Sequence, residues 1–336
     1  MSRENKMWAI MVYLSRNMWS RYYSPLPFED DMWEYILRES VKTGLNTILL
    51  DVGDGVQYKS HPEISVEGAW SAERVHQEVQ RCKELGIALI PKLNFSTTHD
   101  LWLGKYARMI STEEYYQVAK DLIGEVYELF EHPAFIHLGM DEENIEMQAN
   151  RELVCFRQGK LLWHDMNYLM DCVCATGARP WIWSCPLFNH PEEFKANVEA
   201  KKAVISPWYY HALRREHWTP TDSRPEYVEF YFHNGPYVGM DIPFVEEDPF
   251  HATFRKVALP LLQDGFEYVP CGSVHNRCVY NHADLLEYFK ENAPDDQILG
   301  YMTAPWRPTQ GTEEIRQMFD ESFRYMKEAM DAFYPE

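Results

Sequence analysis

The run Phe135-Ile136-His137-Leu138-Gly139-Met140-Asp141-Glu142-Glu143-Asn144 opens as a short apolar strand, breaks at Gly139 and then presents three acids in succession. Side chains alternate along a strand, so Asp141 and Glu142 are expected to point in different directions from one strand end. Carboxylates this close raise one another's pKa, because the second charge must form against the first. That suits a task in which one acid stays protonated near neutral pH while its neighbour stays charged. A solvated acidic loop is the plain reading of an arbitrary acidic run. A buried-looking strand that turns at a glycine and then delivers the acids favours a functional one.

The same strand-then-helix grammar recurs on both sides of this run. Short apolar runs at 7–14, 47–52, 87–93, 135–138, 179–184, 203–206, 268–271 and 297–302 read as strands. Helical spacing follows them at 29–43, 72–85, 111–131, 161–176, 191–200, 250–263, 282–292 and 312–332. Gly44, Gly86, Gly177 and Gly265 stand where helices should stop, Ser71 stands as an N-cap, and Ser111 with Glu114 reads as a capping box. The strands are largely non-alternating, which means burial on both faces, as in a parallel sheet. Eight such units closing on themselves predict a (β/α)8 TIM barrel, with 1–336 as a single domain. An open doubly wound sheet would call for a Gly-rich phosphate loop after the first strand, where the chain has Ser15-Arg16-Asn17. The stretch 211–249 is irregular, aromatic and proline-rich, and reads as an elaborated loop between the sixth strand and the sixth helix that helps wall a pocket.

Composition bounds the function. Apolar residues make up 46%, enough for a large core, and 32 basic against 52 acidic residues give a net charge of −20. That excess argues against nucleic acid and membrane surfaces as partners. Aromatics reach 15%, with 11 Trp and 21 Tyr. Most of these rings belong to the core, but the excess also suits a site that holds the apolar faces of sugars. Seven cysteines show no metal-ligand spacing and read as reduced thiols. No signal-peptide pattern precedes the first strand and no apolar run reaches spanning length, so a cytoplasmic location is expected.

A TIM barrel builds its active site at the C-terminal ends of its strands. Those ends carry Arg16, Asp51, Asn94 with His99, Asp141 with Glu142, Trp183, Trp208 with Tyr209, His275, and Trp306. Each has a plain structural role available: an ion pair for Arg16, a loop histidine at His99, a lid over the core for each tryptophan. The convergence of aromatics and hydrogen-bonding groups around one acidic pair is what points to a site.

His137-Leu138-Gly139-Met140-Asp141-Glu142 resembles the His-x-Gly-x-Asp-Glu signature of family 20 glycoside hydrolases, the β-N-acetylhexosaminidases. In that family the signature ends the fourth strand of a (β/α)8 barrel. The resemblance implies Glu142 as general acid/base and Asp141 as the carboxylate that orients the substrate's 2-acetamido group. It extends to Arg16 as a group that grips sugar hydroxyls, and to Pro91 through Asn94 followed by His99 as the family's Pro-led third strand ending in a histidine. It further implies Trp183, Trp208 and Trp306 as walls of an acetamido pocket, and Tyr209 as a donor to the acetamido oxygen, with Tyr210 next to it. Two departures stand out. Arg307 follows Trp306 where the family usually has an acid, and the family's frequent N-terminal α/β domain is absent from this sequence.

A retaining glycosidase ordinarily needs a second carboxylate about 5 Å from the acid/base, acting as nucleophile. In the large barrel clan that works this way the nucleophile follows strand seven, and here Val269-Pro270-Cys271-Gly272-Ser273-Val274-His275 contains no acid. Substrate-assisted cleavage of a small glycoside or oligosaccharide, with no cofactor and no metal, is the expected chemistry. The alternatives are a glycosidase on sugars without the acetamido group using Asp241, Glu246 or Glu247, a metal-dependent hydrolase with Asp51, Asp141, Glu142 and histidines as ligands, and a catalytically silent sugar-binding barrel.

Overall fold

The computed structural model describes residues 3–19, 21–143, 148, 151–217 and 257–335. Its strands are β1 (Met7–Tyr13), β2 (Thr47–Asp51), β3 (Ala88–Lys92), β4 (Phe135–His137), β5 (Arg179–Trp183), β6 (Val204–Ser206), β7 (Glu267–Tyr268), β8 (Cys271–Gly272) and β9 (Gly300–Thr303). They form one sheet in the order β7-β6-β5-β4-β3-β2-β1-β9-β8, with every pairing parallel. β7 and β8 are two pieces of one barrel strand. β7 pairs with β6, β8 pairs with β9, and the bridges Trp208–Cys271 and Tyr268–Ile298 cross the seam, so the sheet closes into a (β/α)8 barrel. The uninterrupted seventh strand expected at 268–271 is split because Pro270, between the two pieces, has no N–H to give to a ladder.

The helices are α1 (Asp30–Thr43), α2 (Ala72–Glu84), α3 (Glu113–Leu129), α4 (Gly159–Thr176), α5 (Cys185–Asn189), α6 (Pro191–Asn197), α7 (Leu259–Gln263), α8 (Asn281–Asn292) and α9 (Glu313–Phe333). Gly44 and Gly177 end α1 and α4 in the left-handed conformation, and the Ser71 side chain caps α2. The cap of α3 differs from expectation. Thr112, not Ser111, accepts from the Tyr115 N–H, while Ser111 sits at φ 63° and donates to Asp165 at 2.6 Å. With the cap moved by one residue, Glu114 no longer occupies the third helical position and no capping box forms. The short α5 has no counterpart in the sequence pattern. Residues 218–249 of the irregular loop, including Asp241, Glu246 and Glu247, lie outside the described residues, as do 250–256 of the helix expected at 250–263. None of the described helices is long and apolar enough to cross a membrane.

Each strand is buried on both faces. On β1, Trp8, Ile10 and Val12 pack outward against the helices, while Ala9, Met11 and Tyr13 face the barrel interior. Near the C-terminal ends the interior turns polar. Tyr13, Asp51, Lys92 and His137 are register neighbours on four consecutive strands. Lys92 and Asp51 form an ion pair whose side chains are only 2% and 6% exposed. Burial raises the Asp51 pKa despite that lysine. Burial, with Lys92 nearby, keeps His137 well below the usual imidazole range, hence neutral. The His137 Nδ1 accepts the Gly139 N–H at 2.9 Å, and its ring lies 4.9 Å from that of Trp183. This layer is the floor beneath the acidic turn.

Lys92→Met would leave a buried carboxylate without its counter-ion and is expected to lower the unfolding free energy by about 3–5 kcal/mol. Adding Asp51→Asn should recover most of that loss. Denaturant unfolding of the single and double variants checks this, and equal losses in both would contradict it.

Candidate active site

The chain leaves β4 through a turn that only a glycine can start. Gly139 has φ 73°, and a Cβ there would lie 1.8 Å from Asn94 Oδ1 and 3.0 Å from Asn94 Cα. Met140 (φ 65°) and Glu142 (φ 50°) are left-handed as well. Strand alternation has therefore ended before the acids, and the divergence expected of Asp141 and Glu142 does not occur. Both carboxylates come within 3.7 Å of one atom, His99 Nε2.

The third acid is taken out of the group. Glu143 accepts from the Thr97 N–H at 3.0 Å and from the Thr97 hydroxyl at 2.9 Å, and pairs with Arg157 at 2.6 Å, with side chains 7% and 0% exposed. Arg157 also donates to the Phe95 carbonyl. A second arginine ties the neighbouring loops. Arg151 donates to the carbonyls of Trp19, Thr97 and Thr98 and pairs with buried Asp100 at 2.9 Å. The loops after β1, β3 and β4 are thus fastened to one another.

The two remaining acids have different surroundings. Asp141 accepts from Asn94 Nδ2 at 3.0 Å, and its backbone carbonyl accepts from Ser96. Among the described residues Glu142 has one donor, Trp19 Nε1, at 3.4 Å. Burial and then the Asp141 charge push the Glu142 carboxyl up to about 7, with the Trp19 hydrogen bond opposing them. Near neutral pH Glu142 can therefore hold a proton. Burial outweighs the Asp141 charge at His99 and lowers its pKa to about 4, so it is a neutral imidazole. The Thr98 hydroxyl lies 2.7 Å from Nδ1, which leaves Nε2 facing both acids. The Trp19 ring meets the His99 ring edge-on at 5.4 Å.

Across the mouth stands an aromatic wall. Trp183 and Trp306 lie 5.5 Å apart, Tyr13 lies 6.3 Å from Trp306, and Trp208 stacks on Tyr210 at 5.1 Å. The indole N–H groups of Trp183 and Trp306 are buried without a hydrogen-bond partner among the described residues, leaving two donors inside an apolar wall. Trp208 Nε1 lies 3.3 Å from the Cys185 sulfur. Tyr209 is not part of this wall. Its side chain is buried between strands and helices, and Tyr210 occupies the mouth, 6.1 Å from Trp306. Ser206 and Trp208 already face inward, so a period of two selects Tyr210 and turns Tyr209 outward.

Of the other expected residues, Asn94 is committed to Asp141, and Asp51 to Lys92 in the floor. Arg16 sits on a loop held by Ser15 and Asn17, which both donate to buried Asp54, and its guanidinium lies 5.5 Å from the Tyr13 ring. His275 pairs with Arg307 at 3.3 Å. The sequence reading missed Tyr13, Trp19 and Arg151. Only Tyr13 carried a signal, as an inward position at the end of β1. A separate cavity of about 280 Å3 lies behind the acidic turn, lined by Met140, Glu143, Arg157 and Cys185 among others, and neither Asp141 nor Glu142 reaches it. Among the described residues no three His, Cys, Asp or Glu side chains gather as a metal site would require.

The chain shares its fold with family 20 glycoside hydrolases. One is a family 20 β-N-acetylglucosaminidase (TM-score 0.60, 11% identity, 98% of this chain and 69% of that one). A second is the β-N-acetylhexosaminidase of Bacteroides fragilis (TM-score 0.62, 13% identity, 96% and 65%). A third is a mutant Streptomyces plicatus β-hexosaminidase in complex with its product GlcNAc (TM-score 0.62, 12% identity, 98% and 64%). The chain thus spans about two thirds of the length of these proteins. No family model matches the sequence, and no curated protein matches it. At this identity the likeness concerns the fold.

Glu143→Gln would leave the fully buried Arg157 guanidinium with the more distant Asp165, at 3.7 Å, as its carboxylate partner and is expected to lower unfolding free energy by about 1–3 kcal/mol. A loss below about 1 kcal/mol in denaturant unfolding would mean that Glu143 does not anchor the turn.

Proposed function

We propose that this chain is a glycoside hydrolase that removes a β-linked N-acetylhexosamine from a small glycoside or oligosaccharide by substrate-assisted, retaining catalysis. One observation carries the reading: Asp141 and Glu142 converge on His99 at the mouth of the barrel, with Glu142 raised to about 7 beside Asp141. Two carboxylates that converge on one imidazole, one of them raised to about 7, can supply an acid and an anion to the same substrate.

In the proposed first step Glu142 gives its proton to the glycosidic oxygen as the bond from that oxygen to the anomeric carbon breaks. The acetamido oxygen of the substrate forms the new bond to that carbon, closing an oxazolinium ring. Asp141, oriented by Asn94, accepts the acetamido N–H and stabilises the positive charge that develops there. In the second step the Glu142 carboxylate takes a proton from water as its oxygen adds to the anomeric carbon and the ring opens. Two inversions at one carbon give net retention. The unpartnered indole N–H groups and aromatic faces of Trp183 and Trp306 would enclose the acetamido group.

No enzyme nucleophile is required, which agrees with the disposition of the other acids. The segment after the seventh strand has none, and among the described residues Asp51, Asp54 and Glu143 are engaged by Lys92, by Ser15 with Asn17, and by Arg157. The two-carboxylate rule for glycosidases admits this exception.

Aryl β-N-acetylglucosaminide, aryl β-N-acetylgalactosaminide and the matching plain glycosides test the proposal. Turnover is expected only on the N-acetyl sugars, falling about 10²–10⁴-fold in Glu142→Gln. The rate should decline as pH rises through about 7, where Glu142 loses its proton. Asp141→Asn removes the charge that raises Glu142, so it should cut kcat well beyond a few-fold and move that decline to lower pH. Trp19→Phe removes a donor to the carboxylate and should move it to higher pH. Equal turnover of plain glycosides, or a merely few-fold loss in Asp141→Asn, would contradict the mechanism.

A further inference from the structure

The cations at the mouth run against the composition. In a chain of net charge −20 an arginine is surrounded by candidate carboxylates, and Arg74, Arg81, Arg151, Arg157 and Arg179 each pair with one. Among the described residues Arg16 and Arg307 pair with none; Arg21, Arg316 and Arg324 do not either, but those three are exposed, whereas Arg16 and Arg307 are half-buried. Arg16 Nε is buried without a hydrogen-bond partner. Arg307 Nη1 donates to the Trp306 carbonyl at 3.1 Å and lies 3.3 Å from His275 Nδ1. Burial, with Arg307 and Arg277 nearby, lowers the His275 pKa, so this neighbour is a neutral acceptor and does not offset the guanidinium charge.

The two arginines also share a place. They follow β1 and β9, which are paired strands. In the barrel order β9 is four strands from β4 in either direction, so the arginines face the acidic pair across the mouth. Tyr13 joins the two sides. Its ring lies 5.5 Å from the Arg16 guanidinium and 6.3 Å from Trp306, and its hydroxyl feels the charges of both Asp141 and Glu142. A sugar with its anomeric carbon at Glu142 and its ring against Tyr13 and Trp306 therefore turns its far edge to two uncompensated guanidinium groups. Planar guanidinium forks match oxyanions in shape as well as charge.

We propose that the sugar accepted at this site carries an anionic substituent, a sulfate, phosphate or carboxylate on the edge remote from the scissile bond, and that Arg307 with Arg16 selects it. The inference rests on the glycosidase reading of the same site.

Binding tests it without requiring turnover. Titration calorimetry of wild type and Arg307→Gln would compare N-acetylglucosamine, its 6-sulfate, its 6-phosphate and its 6-carboxylate, together with glucose and glucose 6-sulfate. At least one anionic form should bind wild type about tenfold to a hundredfold more tightly than its neutral parent, the scale of charge-assisted hydrogen bonds. The preference should shrink as salt rises and fall at least several-fold in Arg307→Gln. The three anions identify which oxyanion fits. The glucose pair separates the two proposals: a preference for glucose 6-sulfate over glucose upholds the arginine lip even if the acetamido group contributes nothing. Preference for the acetamido group without preference for charge upholds the hexosaminidase reading and overturns this one. Absence of any anionic preference in wild type, or a preference indifferent to salt, also overturns it, whether or not the variant folds.

Discussion

Three consecutive carboxylates repel one another, and the fold of this site depends on Arg157 taking one of them away. With Glu143 bound to a fully buried guanidinium and to Thr97, the acidic run is anchored at its far end. Its near end is fixed at Gly139, where the approach of Asn94 leaves no room for a side chain. The residues between these points have little choice, which is how two non-glycine residues come to adopt left-handed backbone. Arg151 repeats the device on a larger scale by gathering carbonyls from the loops after β1 and β3.

The anchored turn divides the electrostatic labour between its two free acids. Asp141 receives an amide donor from Asn94, whereas Glu142 receives a single long one from an indole. Burial acts against the charged form of Glu142, and the neighbouring Asp141 adds to that bias. His99, neutral and held through Thr98, sets its Nε2 against both acids without offering a full charge. A charged imidazolium there would pull both carboxylates down and erase the difference between them. The floor of Asp51, Lys92 and His137 keeps a compensated ion pair and a neutral ring beneath the site, so that no uncompensated charge presses on it from below.

Much of the barrel was legible because its signals are local. Strands buried on both faces read as unbroken apolar runs, and the glycines at 44 and 177 end helices where only a residue free to adopt positive φ does so cheaply. The failures were of two kinds. Some were one-residue ambiguities: Ser111 and Thr112 are both good caps, and Tyr209 and Tyr210 are both tyrosines, so only the inward register set by Ser206 and Trp208 separates them. Others were non-local. Nothing near Trp19 indicates that it donates to Glu142, and nothing near Arg151 or Arg157 indicates that they bind loops some 50 residues upstream. Likewise, the acidic triplet gave no sign of which member would be structural, because Arg157 makes that choice from 14 residues away.

The chemistry proposed for this site turns on a proton held by Glu142 near neutral pH beside Asp141. The most direct measurement is a 13C NMR titration of glutamate side-chain carboxyls in the full chain, with Glu142→Gln identifying the resonance. The expected result is a midpoint near 7 for Glu142 that falls when Asp141 is replaced by Asn. A Glu142 midpoint in the ordinary carboxylate range, about 4.3, and unmoved by Asp141→Asn, would contradict it.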